Sequence, residues 1–294
     1  MDRRAFLAAG AAAAALPFPP STPRSQAPAQ DAERWGRTQH TKFAVNVEMW
    51  WGGRPFLERV KAAIAFGFPA IEFWPWRGKD IPALAALCTE GGIEVAQFTA
   101  WGFSPGLNEA KNHDQFVREI EASCAVAKQL GCKKMTVVGG NDVKGMEQAA
   151  MHDAIVVGLK RAAPIAEAHD VMLILEPMNI RVDHRGHCLY GSAPTIDICK
   201  RVGSTHVKIN WDCYHMQITE GDLCRRLRDG WSEVGYVQVA DNPGRHEPGT
   251  GEVNWTRVYQ ELDALGYRGY VGLECSPRDG EETAAKRVNA GDRW

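Results

Sequence analysis

The chain has 294 residues, of which 45% are apolar and 24% charged, and its formal net charge is −2. That is the profile of an ordinary globular protein, and it excludes a polybasic footprint for nucleic acid or for a membrane surface. Length alone admits either one large α/β barrel or two small domains.

The N-terminal segment differs from the rest. Arg3-Arg4 leads into Ala5-Phe6-Leu7, then into alanines up to Leu16, then into a Pro-rich stretch with Ala27-Pro28-Ala29. A charged start, a short apolar middle and a small-residue cleavage site mark an export signal. The arginine pair with Phe6 and Leu7 resembles a twin-arginine signal. Residues 1–29 are therefore read as a signal peptide, 30–40 as a linker and 41–294 as the folded domain. The expected location is periplasmic or secreted. The apolar run is too short for a stable membrane span. The eight cysteines include no CxxC pair, so most are expected to be small buried hydrophobes.

Beyond residue 40, short apolar runs alternate with amphipathic ones. A strand at 43–47 precedes a helix at 56–66 that stops at Gly67. A strand at 70–73 precedes a helix at 82–90 that stops at Gly91-Gly92. A strand at 94–98 precedes a helix at 114–130 that stops at Gly131. Strands at 134–138, 172–176, 207–212, 234–239 and 269–274 follow, separated by helices at 148–169, 195–202, 223–228 and 255–265. Glycine just past the last apolar position is a helix stop, and Asp114 and Ser192 are expected N-caps. Eight strands alternating with helices predict an α/β fold, a closed parallel (β/α)8 TIM barrel. A doubly wound sheet would bring a Gly-rich turn after its first strand, and here Glu48-Met49-Trp50-Trp51 follows instead.

In such a barrel, chemistry sits where strands end and loops begin. Strand five ends in Glu176, strand six in Asp212, strand seven carries Gln238 and strand eight ends in Glu274. One carboxylate ending one strand is commonly a helix cap. Three on four neighbouring strands would repel one another in a low-dielectric mouth, and a bound cation relieves that repulsion. Three carboxylates and an amide oxygen are hard ligands, suited to one divalent ion: Mg²⁺, Mn²⁺ or Co²⁺. Trp50, Trp51, Trp74, Trp76 and Trp101 all follow strands one to three, and on that rim they would form an aromatic platform for a sugar.

The runs LEPMNIRVDHRGHCL (175–189), HVKINWDCYHMQI (206–218), QVADNPGRHEPGTGEVNW (238–255) and GYRGYVGLECSP (266–277) closely resemble the hydroxypyruvate isomerase family, which belongs with the sugar epimerases among xylose-isomerase-like barrels. The resemblance extends over nearly all of 40–277. It implies that Glu176, Asp212, Gln238 and Glu274 bind the metal and that Glu176 and Glu274 form the acid/base pair. The implied reaction is an aldose–ketose type isomerisation, in which a proton moves between adjacent carbons through an enediolate. His215 and Arg245 are expected to hold substrate, Arg245 by clamping a carboxylate or a hydroxyl pair. Glu72, ending strand two, and His184, in the loop after strand five, are weaker candidates for the same role, and His187 shares that loop.

An export signal departs from the family's pattern, because hydroxypyruvate is a cytosolic metabolite. A keto-sugar or sugar derivative is therefore as much in view as a hydroxy-keto acid. The alternatives are a keto-sugar 3-epimerase, a lyase or dehydratase starting from the same enediolate, and a non-catalytic periplasmic sugar-binding protein. A nuclease of the endonuclease IV type shares the barrel but needs several zinc ions and many histidines, which this ligand set does not offer. Nucleic acid is not an expected partner. Homo-oligomerisation is compatible with the sequence.

Overall fold

The computed structural model describes residues 35–294. The proposed signal peptide, and residues 30–34 of the expected linker, lie outside the described residues. Eight parallel strands close in sequence order into a barrel: β1 (Lys42–Asn46), β2 (Ala70–Phe73), β3 (Glu94–Trp101), β4 (Lys134–Val138), β5 (Met172–Glu176), β6 (Val207–Asp212), β7 (Val234–Val239) and β8 (Tyr270–Leu273). Closure is made by β8 on β1, with Phe43 opposite Val271 and Val45 opposite Leu273. The (β/α)8 expectation holds, and strand ends differ by three residues at most.

The helices are α1 (Phe56–Phe66), α2 (Ile81–Gly91), α3 (His113–Leu130), α4 (Gln148–Ala168), α5 (Ser192–Val202), α6 (Cys213–Thr219), α7 (Leu223–Gly230), α8 (Trp255–Ala264) and α9 (Glu281–Gly291). In α3 the buried positions Phe116, Ile120, Ser123, Cys124 and Ala127 recur at helical spacing and form the stripe that packs on the barrel. Each large apolar side chain buried this way contributes roughly 1.5–3 kcal/mol. Gly131 ends the helix at φ 65°, a left-handed turn that only glycine adopts at no steric cost.

Two helix starts differ from expectation. Asp114 lies inside the first turn of α3 and is held by Arg161 at 2.6 Å, so it is not free to cap. Ser192 is the first residue of α5, behind Gly191, and makes no side-chain cap. Caps do form at Asp80, which accepts from the Ala83 amide, and at Asn254, which accepts from that of Arg257.

Helices α6 and α9 were not expected. The first matters for the site, because it follows β6 without an intervening loop. Residues 35–40, the described part of the expected linker, run along the base of the barrel. The Phe43 amide donates to Gly36, and Asp292 accepts from the Thr38 hydroxyl and the Thr41 amide. Seven of the eight cysteines are buried. Among the described residues, no helix is long and apolar enough to cross a membrane.

The lumen is polar where it approaches the C-terminal ends of the strands. Asn46, Glu72, Gln97, Thr136, Asn210 and Gln238 are all buried there. They pair with one another, Asn210 Oδ1 alone among these contacts being left without a partner among the described residues: Asn46 donates to Glu72 at 3.0 Å, Tyr236 and Gln238 donate to Glu72 at 2.8 and 2.9 Å, Asn210 donates to Gln238 at 2.5 Å, and Thr136 donates to Gln97 at 2.8 Å. Branched apolar residues dominate most such lumens. A buried polar layer is stable only when its members pair in this way. Gly272 makes room for it, since a Cβ there would lie 2.3 Å from Glu72 Oε2.

Candidate active site

Above that layer, the ends of β5, β6 and β8 bring three carboxylates together. Glu176 is the last residue of β5, Asp212 the last of β6, and Glu274 the first beyond β8. With His215 they form a buried group whose potential ligand atoms all lie within 4.8 Å of one another.

Asp212 divides its two oxygens. Oδ1 accepts from the Tyr214 amide at 2.8 Å and so caps α6. Oδ2 is buried and has no hydrogen-bond partner among the described residues. The capped oxygen explains why a helix can start directly at the strand end, and it aims the free oxygen into the cluster.

That same helix places His215. Its Nε2 lies 3.5 Å from Asp212 Oδ2 and 3.7 Å from Glu176 Oε1. Its Nδ1 lies 3.3 Å from the backbone N–H of Asn179. An amide N–H can only donate, so Nδ1 accepts and carries no proton. Burial, with Arg245, His184 and His187 nearby, holds the imidazole pKa well below its usual value and keeps the ring neutral. Its one proton is therefore on Nε2, which faces the carboxylates as a donor. In this tautomer Nε2 is a donor and not a metal ligand.

Arg245 enters from the loop after β7. Its backbone has φ 54°, a left-handed conformation uncommon outside glycine. The loop is organised by buried Asp241, whose Oδ2 accepts from the amides of Gly249 and Thr250 at 2.9 and 3.0 Å. The guanidinium then donates to Glu274 at 2.6 Å and stands 3.9 Å from Asp212 Oδ2. The Trp74 indole donates to the other oxygen of Glu274 at 2.7 Å.

Taken without a cation, this cluster is electrostatically frustrated. Burial and the charge of Glu274 push the Asp212 carboxyl up to about 7. Burial, then Glu274 and Asp212, push Glu176 well above the usual carboxylate range. One guanidinium does not offset three carboxylates. The unpartnered Asp212 Oδ2 and the all-oxygen carboxylate set therefore fit a divalent cation.

Of the other expected residues, Arg245, His184 and His215 line the cavity that opens above the cluster, about 380 Å³ in volume. His184 stacks on Phe103 at 4.9 Å. Gln238 stands opposite Asp212 in the strand register, with its amide engaged by Asn210 and Glu72. Glu72 is fully buried in the lumen and is not among the cavity-lining residues; burial and Glu274 push its carboxyl up to about 7. His187 is likewise buried away from the cavity, bonded to the Leu189 carbonyl at 2.7 Å. The five-tryptophan platform does not form. Trp50, Trp51 and Trp101 are core residues, and Trp76 donates to Ser123 on α3. Only Trp74 of the five reaches the cavity, where Phe103 joins it. Sequence reading missed Phe103, Asn179, Gln97 and Thr136. The last two carried a signal, as uncharged polar residues each flanked on both sides by apolar ones inside a strand.

A family model described as xylose isomerase-like TIM barrel matches residues 60–290. The chain belongs to this family. A 2-oxo-tetronate isomerase of Cupriavidus necator is 33% identical over 246 residues, covering 81% of this chain and 94% of that one. The hydroxypyruvate isomerase of Escherichia coli is 30% identical over 259 residues, covering 86% and 97%. Among solved structures, an AP endonuclease, family 2, from Brucella melitensis superposes with TM-score 0.77 at 26% identity, covering 86% of this chain and 96% of that one. The family's barrel is thus the one described above.

Proposed function

We propose that this chain is a divalent-metal-dependent isomerase that moves a proton between adjacent carbons of a small hydroxy-carbonyl substrate. The observation that carries the reading is the convergence of Glu176, Asp212 and Glu274, with His215, within 4.8 Å at the floor of the cavity. The isomerases among its relatives support it.

Glu176, Asp212 and Glu274 would hold the ion. Gln238 is the fourth candidate, because its Oε1 accepts one hydrogen bond and keeps a second lone pair. Mg²⁺ and Mn²⁺ suit this set best, and Co²⁺ is compatible with it. When bound, the ion supplies Lewis acidity, which makes the C–H beside a carbonyl easier to ionise.

The chain's own groups do the rest. His215 Nε2–H and the Arg245 guanidinium donate to substrate oxygens and hold the carbonyl–hydroxyl pair in plane. Glu176 makes no side-chain hydrogen bond among the described residues, and it lines the cavity, which suits a group that takes a proton from carbon. Glu274, oriented by Arg245 and Trp74, faces the same space; once it has taken up a proton from solvent it returns one to the neighbouring carbon, and Glu176 releases to solvent the proton it removed. An aldose–ketose isomerase and an epimerase acting beside a ketone share these steps.

Exchange of substrate C–H for deuterium in D2O, with Mn²⁺ and then with chelator, tests the reading. Metal-dependent exchange that is lost in Glu176→Gln supports it. Binding with no exchange on any hydroxy-carbonyl compound would reduce the protein to a binding module.

A further inference from the structure

Arg245 reaches the site from a left-handed backbone, φ 54°. A residue other than glycine stays in that conformation only where its surroundings over-determine it. Those surroundings include the segment that follows β8. The Ser276 amide donates to the Arg245 carbonyl at 3.0 Å, and His246 Nδ1 donates to the Ser276 carbonyl at 2.9 Å. The Arg278 amide then donates to Glu247 Oε2 at 2.8 Å. Three successive contacts fasten residues 245–247 to residues 276–278. Glu274 lies two residues before Ser276 on the second of these segments. The ladder that holds the Arg245 backbone therefore also sets where its guanidinium meets the Glu274 carboxylate, at 2.6 Å.

The last rung of the ladder is a buried charge. The Glu247 side chain is fully buried, and a carboxylate there needs a charged partner. Arg287 of α9 supplies it. Its Nη1 donates to Glu247 Oε1 at 2.6 Å, and its Nη2 pairs with Asp279 at 2.6 Å. A rigid guanidinium can bridge two carboxylates on different segments, which a lysine ammonium does less well. Neither Arg287 nor Glu247 lines the cavity.

We propose that Arg287 is a positioning residue for the barrel-mouth site, acting through Glu247 to keep Arg245 and Glu274 in register. The last helix of the chain thereby governs the geometry of a site it does not touch. A role in stability alone predicts something different, and Arg228 with Glu261 serves as the control. That pair also joins an exposed arginine to a buried glutamate, at 2.7 Å, but between α7 and α8 and away from the cavity.

The kinetic half of the test rests on the proton-transfer reading above, and the spectroscopic half does not. Deuterium exchange is followed on Mn²⁺-loaded protein, with hydroxypyruvate or a ketohexose as the probe, whichever exchanges faster. Misplacing a catalytic group by about 1 Å can cost ~10²-fold, so Arg287→Leu should lower kcat at least ~10-fold. Arg228→Leu should lower Tm comparably and change kcat less than about twofold. In an Arg245→Ala background, adding Arg287→Leu should again change kcat less than about twofold, because the route through Arg245 is already cut. The Trp74 indole donates to Glu274 at 2.7 Å, so its N–H resonance reports on that carboxylate. In Mg²⁺-loaded protein this resonance, assigned by its loss in Trp74→Phe, should shift in Arg287→Leu and stay in place in Arg228→Leu. An unchanged kcat in Arg287→Leu, or a loss that recurs in full in the Arg245→Ala background, overturns the proposal. If the wild type exchanges nothing, proton transfer fails as the activity and the indole resonance alone decides: a shift upholds the positioning role, and an unmoved line overturns it. Should Arg287→Leu not fold, Arg287→Lys takes its place under the same criteria, with a kcat loss of about threefold expected, since it keeps the charge on Glu247 and loses the bridge to Asp279.

Discussion

Stripping the cation from the barrel mouth should destabilise the protein in a pH-dependent way whose sign follows from the site. In the metal-free fold, burial and the Glu274 charge raise the Asp212 carboxyl from 3.8 to about 7. The folded state therefore keeps a proton that the unfolded chain releases between those values. The stability tied to that proton is fully present below the unfolded value and is lost as pH rises through about 7. Moving one carboxyl that far makes roughly 4 kcal/mol of folding free energy depend on pH, at ~1.4 kcal/mol per pH unit. Glu72 shifts in the same direction, but it shares the Glu274 charge, so the two titrate together and their energies do not add.

A bound divalent ion removes the repulsion and keeps the carboxylates ionised, so the loaded protein lacks this loss. About two pH units of that window lie between pH 5 and pH 8, or roughly 3 kcal/mol, so at ~2–3 °C per kcal/mol for a domain of this size the gap in Tm between Mn²⁺-loaded and chelated protein should widen by about 6–8 °C from pH 5 to pH 8. Thermal denaturation at matched ionic strength measures it, and groups far from the site cancel in the difference. Asp212→Asn should flatten the curve while keeping the cap on α6, since asparagine caps as well as aspartate. A gap that stays constant, or narrows as pH rises, would refute the reasoning.

Other outcomes follow from the same geometry. Glu176→Gln and Glu274→Gln should each lower the exchange rate by about 10²–10⁴ with little change in Tm; full activity in either would remove it from the acid/base pair. His215→Gln loses the orientation set by Asn179 and should lower kcat at least ~10-fold, with metal affinity measured by titration nearly unchanged, because Nε2 is a donor and not a ligand. Gly272→Ala drives a methyl onto Glu72 Oε2 and should cost ~1–3 kcal/mol in denaturant unfolding. Replacing Arg3 and Arg4 together by lysine should leave the protein in the cytoplasm on cell fractionation, if the twin-arginine reading is right.

Much of this site was legible in the sequence because barrel strands are apolar on both faces, so a polar residue at a strand end stands out. Glu176, Asp212 and Glu274 stood out in this way, and the structure brings them together. Helix α6 was not legible for the opposite reason. It begins at Cys213 with no turn residue to announce it, and its cap is the same aspartate that the site uses. The tryptophans misled because composition gives number and not direction. Trp50 and Trp101 turn inward to pack on Phe68 and Phe116, which left Trp74 alone at the cavity.

Depth within the lumen was the other thing the sequence could not show. Glu72 and Gln238 both read as strand-end groups facing the mouth. The stagger of a closed barrel instead sets them in the layer beneath the carboxylates, where each satisfies the other. That layer bears on the chemistry above it. Glu72 accepts from the Gln238 amide nitrogen, which directs the Gln238 oxygen away from Glu72 and toward Asn210. A change at Glu72 would therefore reach the cation site through the orientation of one amide, although Glu72 itself is shut off from the cavity. Polar groups in a barrel lumen are costly to bury, and here they stand directly under the one place where charge must be held in register.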